Sequence, residues 1–308
     1  MHFRKRILAA VMLSCCLVSC ANADSSSDIS QSEPETVQAC TSERSVRDKA
    51  LDDYLALIDA TDRCAHALGS IDGHIYTNSL DALWRSYEGG ARLFEADIHL
   101  TSDGQAVLVH GFAKNDYLKR IGEEYYPDKY KKTGEDYYPT HDEFMSWRIQ
   151  GRYQPLDFAM LGCFIKAHPD IFVLADVWAQ DYDSTKAVYT AMCEACGYDE
   201  LVLSHIIAGG HTQDMIRAVK DVYDFPILNL YYSDEMINDD FTAQDFADYC
   251  KSQGIQSYSC SDEYCTVDNY GLLEGSGLIS YVFTVDDKER ASKLLACGVD
   301  IVGANDIP

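Results

Sequence analysis

Short apolar runs of strand length alternate along the chain with longer stretches whose apolar residues recur at helical spacing. The runs are "CAHAL", "LFEADIH", "IFVLADVW", "LVLSHII", "PILNLYY", "IQSYSC", "LISYVFTV" and "VDIVGAN". Most are separated by helix-compatible stretches such as "SLDALWRSYEGGA" and "DKERASKLLACG". Ahead of the first run, "VRDKALDDYLALIDATD" aligns Leu51, Tyr54, Leu55 and Ile58 along one helical face. Eight strands with intervening helices predict an α/β fold, a (β/α)8 TIM barrel over residues 46–308. The alternative is an open doubly wound sheet. It is disfavoured because "HALGSIDG", after the first strand, has neither dinucleotide nor P-loop glycine spacing.

Two segments depart from this alternation. In "LFEADIHL", Glu95, Asp97 and His99 take every second position, and Phe94, Ala96 and Ile98 take the others. A period of two puts the ionisable groups on one strand face and the apolar groups on the opposite one. The run "AVLVH" follows the turn "TSDGQ", ends on His110, and reads as a hairpin arm after strand two. Residues 112–154, dense in tyrosine and charge, then interrupt the pattern. They are expected to form a lip over the barrel mouth, with a solvated loop as the competing reading.

Composition narrows the partners. Hydrophobic residues make up 47% and charged ones 24% of the 308 residues, as in an ordinary globular protein. Fifty acidic against 25 basic residues give a formal charge of −25, which repels nucleic acid and anionic membrane surfaces. A phosphate-bearing substrate would need a local positive centre such as a metal ion. "MHFRKR" followed by "ILAAVMLSCCLV" reads as a secretory signal too short to span a bilayer comfortably. It ends in "LVSC", which resembles a bacterial lipobox with Cys20 as the lipidated residue; ordinary cleavage nearby, after Ala23, is the alternative. Residues 1–20 are thus expected to be a signal peptide and 21–45 a flexible Ser/Asp/Glu-rich tether, in an exported, membrane-anchored lipoprotein.

Of the 12 cysteines, Cys15 and Cys16 would leave with the signal and Cys20 would carry lipid. The rest are odd in number and cannot all pair within one chain. Cys193-x-x-Cys196 stands alone in a helix-like stretch and is expected to be paired or buried rather than to bind metal.

Catalytic groups of such barrels sit at the C-terminal ends of strands. By that rule strand one offers His66, strand two Glu95 and Asp97, the arm His110, and strand three Asp176. Three carboxylates around one point repel unless a cation neutralises them, and oxygen-only ligands suit Mg2+ or Ca2+. Two histidines beside such an ion make an acid and base pair, because imidazole titrates near neutral pH. His205, in "LSHII", is a candidate substrate contact facing the barrel interior, and His99 is expected at the surface or on the lip.

Residues 65–111 resemble the glycerophosphodiester phosphodiesterases of the phospholipase-C-like phosphodiesterase barrel superfamily. Their pattern is His-Arg-Gly, Glu-Asn-Thr, Glu-x-Asp, and then His-Asp after a Thr-x-Asp-Gly turn. His66 matches the first histidine, Glu95 and Asp97 the acidic pair, "LTSDG" the turn and His110 the second histidine. Weaker similarity continues through "PLDFAMLGCFIKAHPDIFVLADVW" and "YVFTVDDKERASKLLACGVDIVGAND". The chain departs from the pattern at Ala67, in place of arginine, at Thr77, in place of glutamate, and at Gly111, in place of aspartate. On strand three an acidic-x-Lys element becomes Asp176-Val177-Trp178. Trp178 is thereby expected to stack on a headgroup or to pack in the core.

The resemblance implies a divergent, metal-dependent phosphodiester hydrolase acting on glycerophosphodiesters or lipid headgroups. The ion would be held by Glu95, Asp97 and Asp176, with His66 and His110 as acid and base. This three-carboxylate set is also similar to that of sphingomyelinase-D-like phospholipases, which release a cyclic phosphate, so both product types stay open. The competing reading is a surface-anchored barrel that binds a phosphodiester or glycan without cleaving it, suggested by the missing arginine and lysine. Glycosidase chemistry fits less well, because Glu95 and Asp97 lie two apart on one strand and cannot flank a glycosidic bond.

Overall fold

The computed structural model describes residues 45–179, 181–233, 241–264, 273 and 275–306. The expected signal peptide, Cys20 and the tether up to residue 44 lie outside the described residues. A ten-stranded sheet contains eight parallel strands that close on themselves. These are β1 (Arg63–Ala65), β2 (Leu93–Leu100), β5 (Phe172–Val177), β6 (Ile206–Gly210), β7 (Ile227–Tyr231), β8 (Ser257–Ser261), β9 (Ile279–Phe283) and β10 (Ile301–Ala304). Pairing of Ala65 with Phe94 joins β1 to β2 and closes the barrel. The remaining strands, β3 (Ala106–Leu108) and β4 (Leu156–Asp157), extend β2 as an antiparallel arm, with Ile98 opposite Leu108.

Strand alternation sorts the side chains. Phe94, Ala96 and Ile98 of β2 point outward into the layer beneath the surrounding helices, together with Val173, Ala175 and Val177 of β5. Leu93, Phe172, Leu174, Ile207, Ile227 and Ile301 point inward and fill the lower barrel. Helix α1 (Val46–Ala60) plugs that end with Ala50, Tyr54 and Ile58; Tyr54 lies 5.5 Å from the Phe172 ring. Leu55, expected on this buried face, is 39% exposed instead. Burying a dozen apolar side chains at the lower end leaves the polar inward residues to the opposite end of each strand.

The fourth apolar run is divided differently from its sequence reading. Asp199 caps a short helix, Glu200–Ser204, by accepting from the Leu201 amide, and β6 begins only at Ile206. A short Leu/Val run is ambiguous between helix and strand, and the capping aspartate decides it. The glycines that follow are tightly packed: a Cβ on Gly209 would lie 3.2 Å from the Ala175 carbonyl, and one on Gly210 3.0 Å from Met215 Cβ.

Residues 112–154 are not a solvated loop. They form several short helical turns around their own aromatic core of Phe112, Tyr117, Tyr126, Phe144 and Trp147. Tyr117 and Tyr126 stack at 5.0 Å, and Val107 and Val109 of the arm join the same cluster. The insertion is therefore packed onto the arm that carries His110. Cys193 is buried on the helix Tyr182–Ala195, and Cys196 caps its end; both are free thiols.

Candidate active site

The inward alternation of β2 and β5 ends in carboxylates. Asp97 pairs in register with Asp176, and Glu95 with Leu174 one step below. Glu95, Asp97 and Asp176 each present an oxygen within 4.8 Å of the others. Burial, then the nearby Asp97 and Asp176, push the Glu95 carboxyl well above its ordinary range. Burial and Asp176 likewise raise Asp97, despite the opposing fields of His110 and His66 and the hydrogen bond from Asn78. Glu95 Oε2 accepts from the Ala67 amide at 2.6 Å, while Oε1 is buried with no hydrogen-bond partner among the described residues. A buried, unpartnered carboxylate oxygen facing two further carboxylates makes an all-oxygen donor set, and these residues fit a hard divalent ion.

Asn78 secures Asp97 twice: its Nδ2 donates to Asp97 Oδ2 at 2.7 Å, and the Asp97 amide donates to Asn78 Oδ1 at 3.1 Å. Asn78 adopts a left-handed φ of 45°, which asparagine tolerates better than most residues. Ser79 beside it caps helix α2 (Leu80–Glu88). Thr77 bonds the Ser79 hydroxyl and does not join the carboxylates. At Ala67 the backbone amide, not the side chain, serves the site.

The histidines stand on either side of Tyr76, whose ring meets His66 edge-on at 4.8 Å and His110 at 5.2 Å. Asn305 Nδ2 donates to Asp286, so its Oδ1 is the acceptor for His66 Nδ1–H at 3.0 Å. This leaves His66 Nε2 facing Thr284 Oγ1 at 3.1 Å, with Glu95 Oε2 at 3.8 Å. His110 follows the same logic with a stronger partner: its Nδ1 lies 3.0 Å from Asp116 Oδ1, which leaves Nε2 free. Burial opposes charge on His110, but the Asp116 hydrogen bond and the field of Asp97 outweigh it and raise its pKa. Asp116, despite its burial, is held below the usual carboxylate range by His110 and Arg120.

Five sequence candidates, His66, Glu95, Asp97, His110 and Asp176, thus converge at one end of the barrel. Trp178 lies just beyond β5, its ring 5.8 Å from His110, and is 59% exposed rather than packed in the core. His205 does not belong to the site. It precedes β6, stacks on Phe172 at 4.8 Å, and bonds the carbonyls of Leu201 and Pro169 at the lower end of the barrel. Nor is His99 a plain surface residue: its Nε2 lies 3.1 Å from the His110 carbonyl, and its ring packs near Phe112 at the start of the insertion. Sequence reading missed Tyr76, Asp116, Arg120 and His211. His211, which follows β6, lies 3.3 Å from Asp176 Oδ1. The cavity is lined by His66, Glu95, Asp176, His211, Asn229 and Tyr231 among others. For His211 the signal was there, once β6 is shifted to its correct place.

No protein-family model and no curated protein matches the sequence. The fold, by contrast, has close counterparts among solved structures. A protein assigned as a glycerophosphoryl diester phosphodiesterase from Silicibacter pomeroyi superposes with a TM-score of 0.64 at 14% identity, covering 80% of this chain and 90% of the other. An Oleispira antarctica phosphodiesterase in complex with its product sn-glycerol-3-phosphate gives 0.59 at 14% identity, covering 80% and 93%. A glycerophosphodiester phosphodiesterase from Parabacteroides distasonis gives 0.56 at 15% identity, covering 80% and 94%. This chain shares the TIM-barrel fold of those proteins.

Proposed function

We propose that the protein is a divergent glycerophosphodiester phosphodiesterase, a metal-dependent phosphoric diester hydrolase. The observation that carries this reading is the three-carboxylate cluster within 4.8 Å at the upper strand ends, with the unpartnered Glu95 Oε1 beside two histidines. Its fold neighbours support the same reaction class, and the product bound to the Oleispira antarctica protein supports a glycerol-type phosphodiester substrate. Glu95, Asp97 and Asp176 would hold Mg2+ or Ca2+. When bound, that ion supplies polarisation of a phosphoryl oxygen and a positive centre for the anionic substrate.

The protein's own residues then divide the proton transfers. His66, backed by the neutral Asn305 amide, offers the Nε2 lone pair as base to the attacking water or to a neighbouring substrate hydroxyl. His110, backed by the Asp116 carboxylate, keeps its proton and delivers it from Nε2 to the leaving alkoxide. Attack by water yields a phosphomonoester, and attack by the substrate's own hydroxyl yields a cyclic phosphate. Tyr76 holds the two imidazoles apart, and Trp178 offers an exposed face to the headgroup. The basic, apolar N-terminus ending in "LVSC" supports export and anchoring through a lipid on Cys20.

Phosphorus NMR of glycerophosphodiesters and lysophospholipids, incubated with residues 21–308 and Mg2+ or Ca2+, tests the reaction. Chelator-sensitive appearance of a phosphomonoester or cyclic phosphate, lost in His110→Ala, is expected. A folded, metal-binding protein that yields no product across the panel would favour the non-catalytic binding barrel instead.

A further inference from the structure

The insertion brings a cation to the site. Arg120 lies in its turn Tyr117–Ile121, with its guanidinium carbon 4.6 Å above the Tyr76 ring and Nη1 3.1 Å from His110 Nδ1. Nη1 is committed to Asp116 Oδ1, the same oxygen that holds His110. Among the described residues, the hydrogen bonds of Arg120 run through Nη1 and none through Nε or Nη2. The side chain is only 22% exposed, so this is not a surface arginine waving in solvent. An arginine clamped at one nitrogen, stacked on an aromatic face and carrying uncommitted donors is preorganised for an oxyanion, because the planar fork loses little freedom on binding.

The surroundings explain why such a group is needed. The chain carries a formal charge of −25, and the site itself contains three carboxylates. Ala67 and Trp178, at positions flanking the carboxylates, offer no charge. Arg120 reaches the site through the insertion and touches both His110 and the tyrosine between the histidines.

We infer that Arg120 is a substrate-binding residue that contacts a non-bridging oxygen of the phosphodiester, so that the insertion completes the phosphate site. The inference rests on the proposed reaction, but its contact can be read without turnover. Binding of sn-glycerol-3-phosphate and of inorganic phosphate would be measured by calorimetry with Mg2+ present, for the native protein, Arg120→Ala, Arg120→Gln and Arg120→Lys. Steady-state hydrolysis would be followed in parallel, with and without added guanidinium. Loss of the contact should weaken binding of both anions by about 10- to 100-fold. It should also raise KM more than it lowers kcat, with partial recovery in Arg120→Lys and on adding guanidinium.

Circular dichroism separates this loss from misfolding; should Arg120→Ala unfold, the Gln and Lys variants carry the comparison. Native anion affinity and native KM in the folded variants would overturn the inference while leaving the hydrolase reading intact. Arginine-dependent phosphate binding in a protein without hydrolysis would uphold it and sink that reading. Failure of the native protein to bind either anion would overturn both.

Discussion

Glu95→Gln should make the protein more stable in chelator and indifferent to divalent ions. The like-charged oxygens of Glu95, Asp97 and Asp176 lie within 4.8 Å of one another. With an effective dielectric near 20, two full charges at that distance repel by roughly 3.5 kcal/mol. Glu95 faces two such partners, but its raised pKa means that proton uptake already relieves part of the repulsion. The net gain from the neutral isostere is therefore about 1–3 kcal/mol at pH 8, or roughly 2–5 °C in Tm for a barrel of this size. The amide oxygen of Gln can still accept from the Ala67 amide, so that bond is not sacrificed. The sign follows from linkage: a carboxyl raised in the folded state contributes fully below its unfolded pKa and loses that contribution as pH rises through the folded value. The difference between variant and native Tm should thus be largest near pH 8 and vanish toward pH 4–5. A saturating ion reverses the order, since the native protein gains about 2.7 kcal/mol at a hundredfold excess over Kd and the variant lacks a ligand. Thermal melts in chelator, Mg2+ and Ca2+ at both pH extremes decide the matter. A variant less stable than native in chelator at pH 8, or a native Tm unmoved by any divalent ion, would refute the reasoning.

Three further outcomes follow from the same geometry. Changing His66 or His110 to Ala should lower turnover by roughly 10²-fold or more with an unchanged circular dichroism spectrum; near-native rates in both would end the two-histidine scheme. Asp116→Asn should reduce kcat and move the basic limb of the pH–rate profile to lower pH. Burial opposes the His110 charge, Asp116 and Asp97 support it and Arg120 weakens it, so losing Asp116 lowers the pH at which the acid loses its proton. A limb that stays in place would remove Asp116 from this role. In Gly111→Ala the new Cβ would sit 2.8 Å from Asp116 Oδ2. The carboxylate must then shift, and the pH–rate profile should resemble that of Asp116→Asn; a native profile would mean that the dyad tolerates displacement.

The barrel and its carboxylates were legible because strand periodicity encodes them directly. In β2 the alternation of Phe94, Ala96 and Ile98 with Glu95 and Asp97 assigns each residue to one side of the sheet, and register with β5 brings Asp176 alongside. His205 was misplaced for an equally physical reason. An apolar run of seven residues carries no internal mark of where helix yields to strand, and the Asp199 cap that makes the division lies outside it. Shifting β6 by a few residues moves the useful histidine from His205 to His211. Tyr76, Asp116 and Arg120 had no periodic signature at all. Tyr76 sits at a left-handed φ of 56° in a loop, and the other two lie in an insertion whose fold is set by packing among aromatic rings.

That packing changes how the absent motif residues should be weighed. Seen along the sequence, Ala67, Gly111 and Trp178 are losses of charge and suggest a barrel drifting away from catalysis. In three dimensions the glycine at 111 goes with a gain, since a Cβ there would lie 2.8 Å from Asp116 Oδ2 and displace the carboxylate behind His110. Arg120 follows Asp116 by one helical turn, so a single short segment delivers both the orienting carboxylate and a cation. The charge balance agrees with this exchange. Three carboxylates exceed a divalent ion by one negative charge, which would repel an incoming phosphodiester. In the proposed metal-bound enzyme a protonated His110 and Arg120, less Asp116, would return that charge and bring the site to neutrality. A barrel that had merely lost its phosphate contacts would have no reason to bury Asp116 against His110 and to stack Arg120 on the tyrosine between the two histidines.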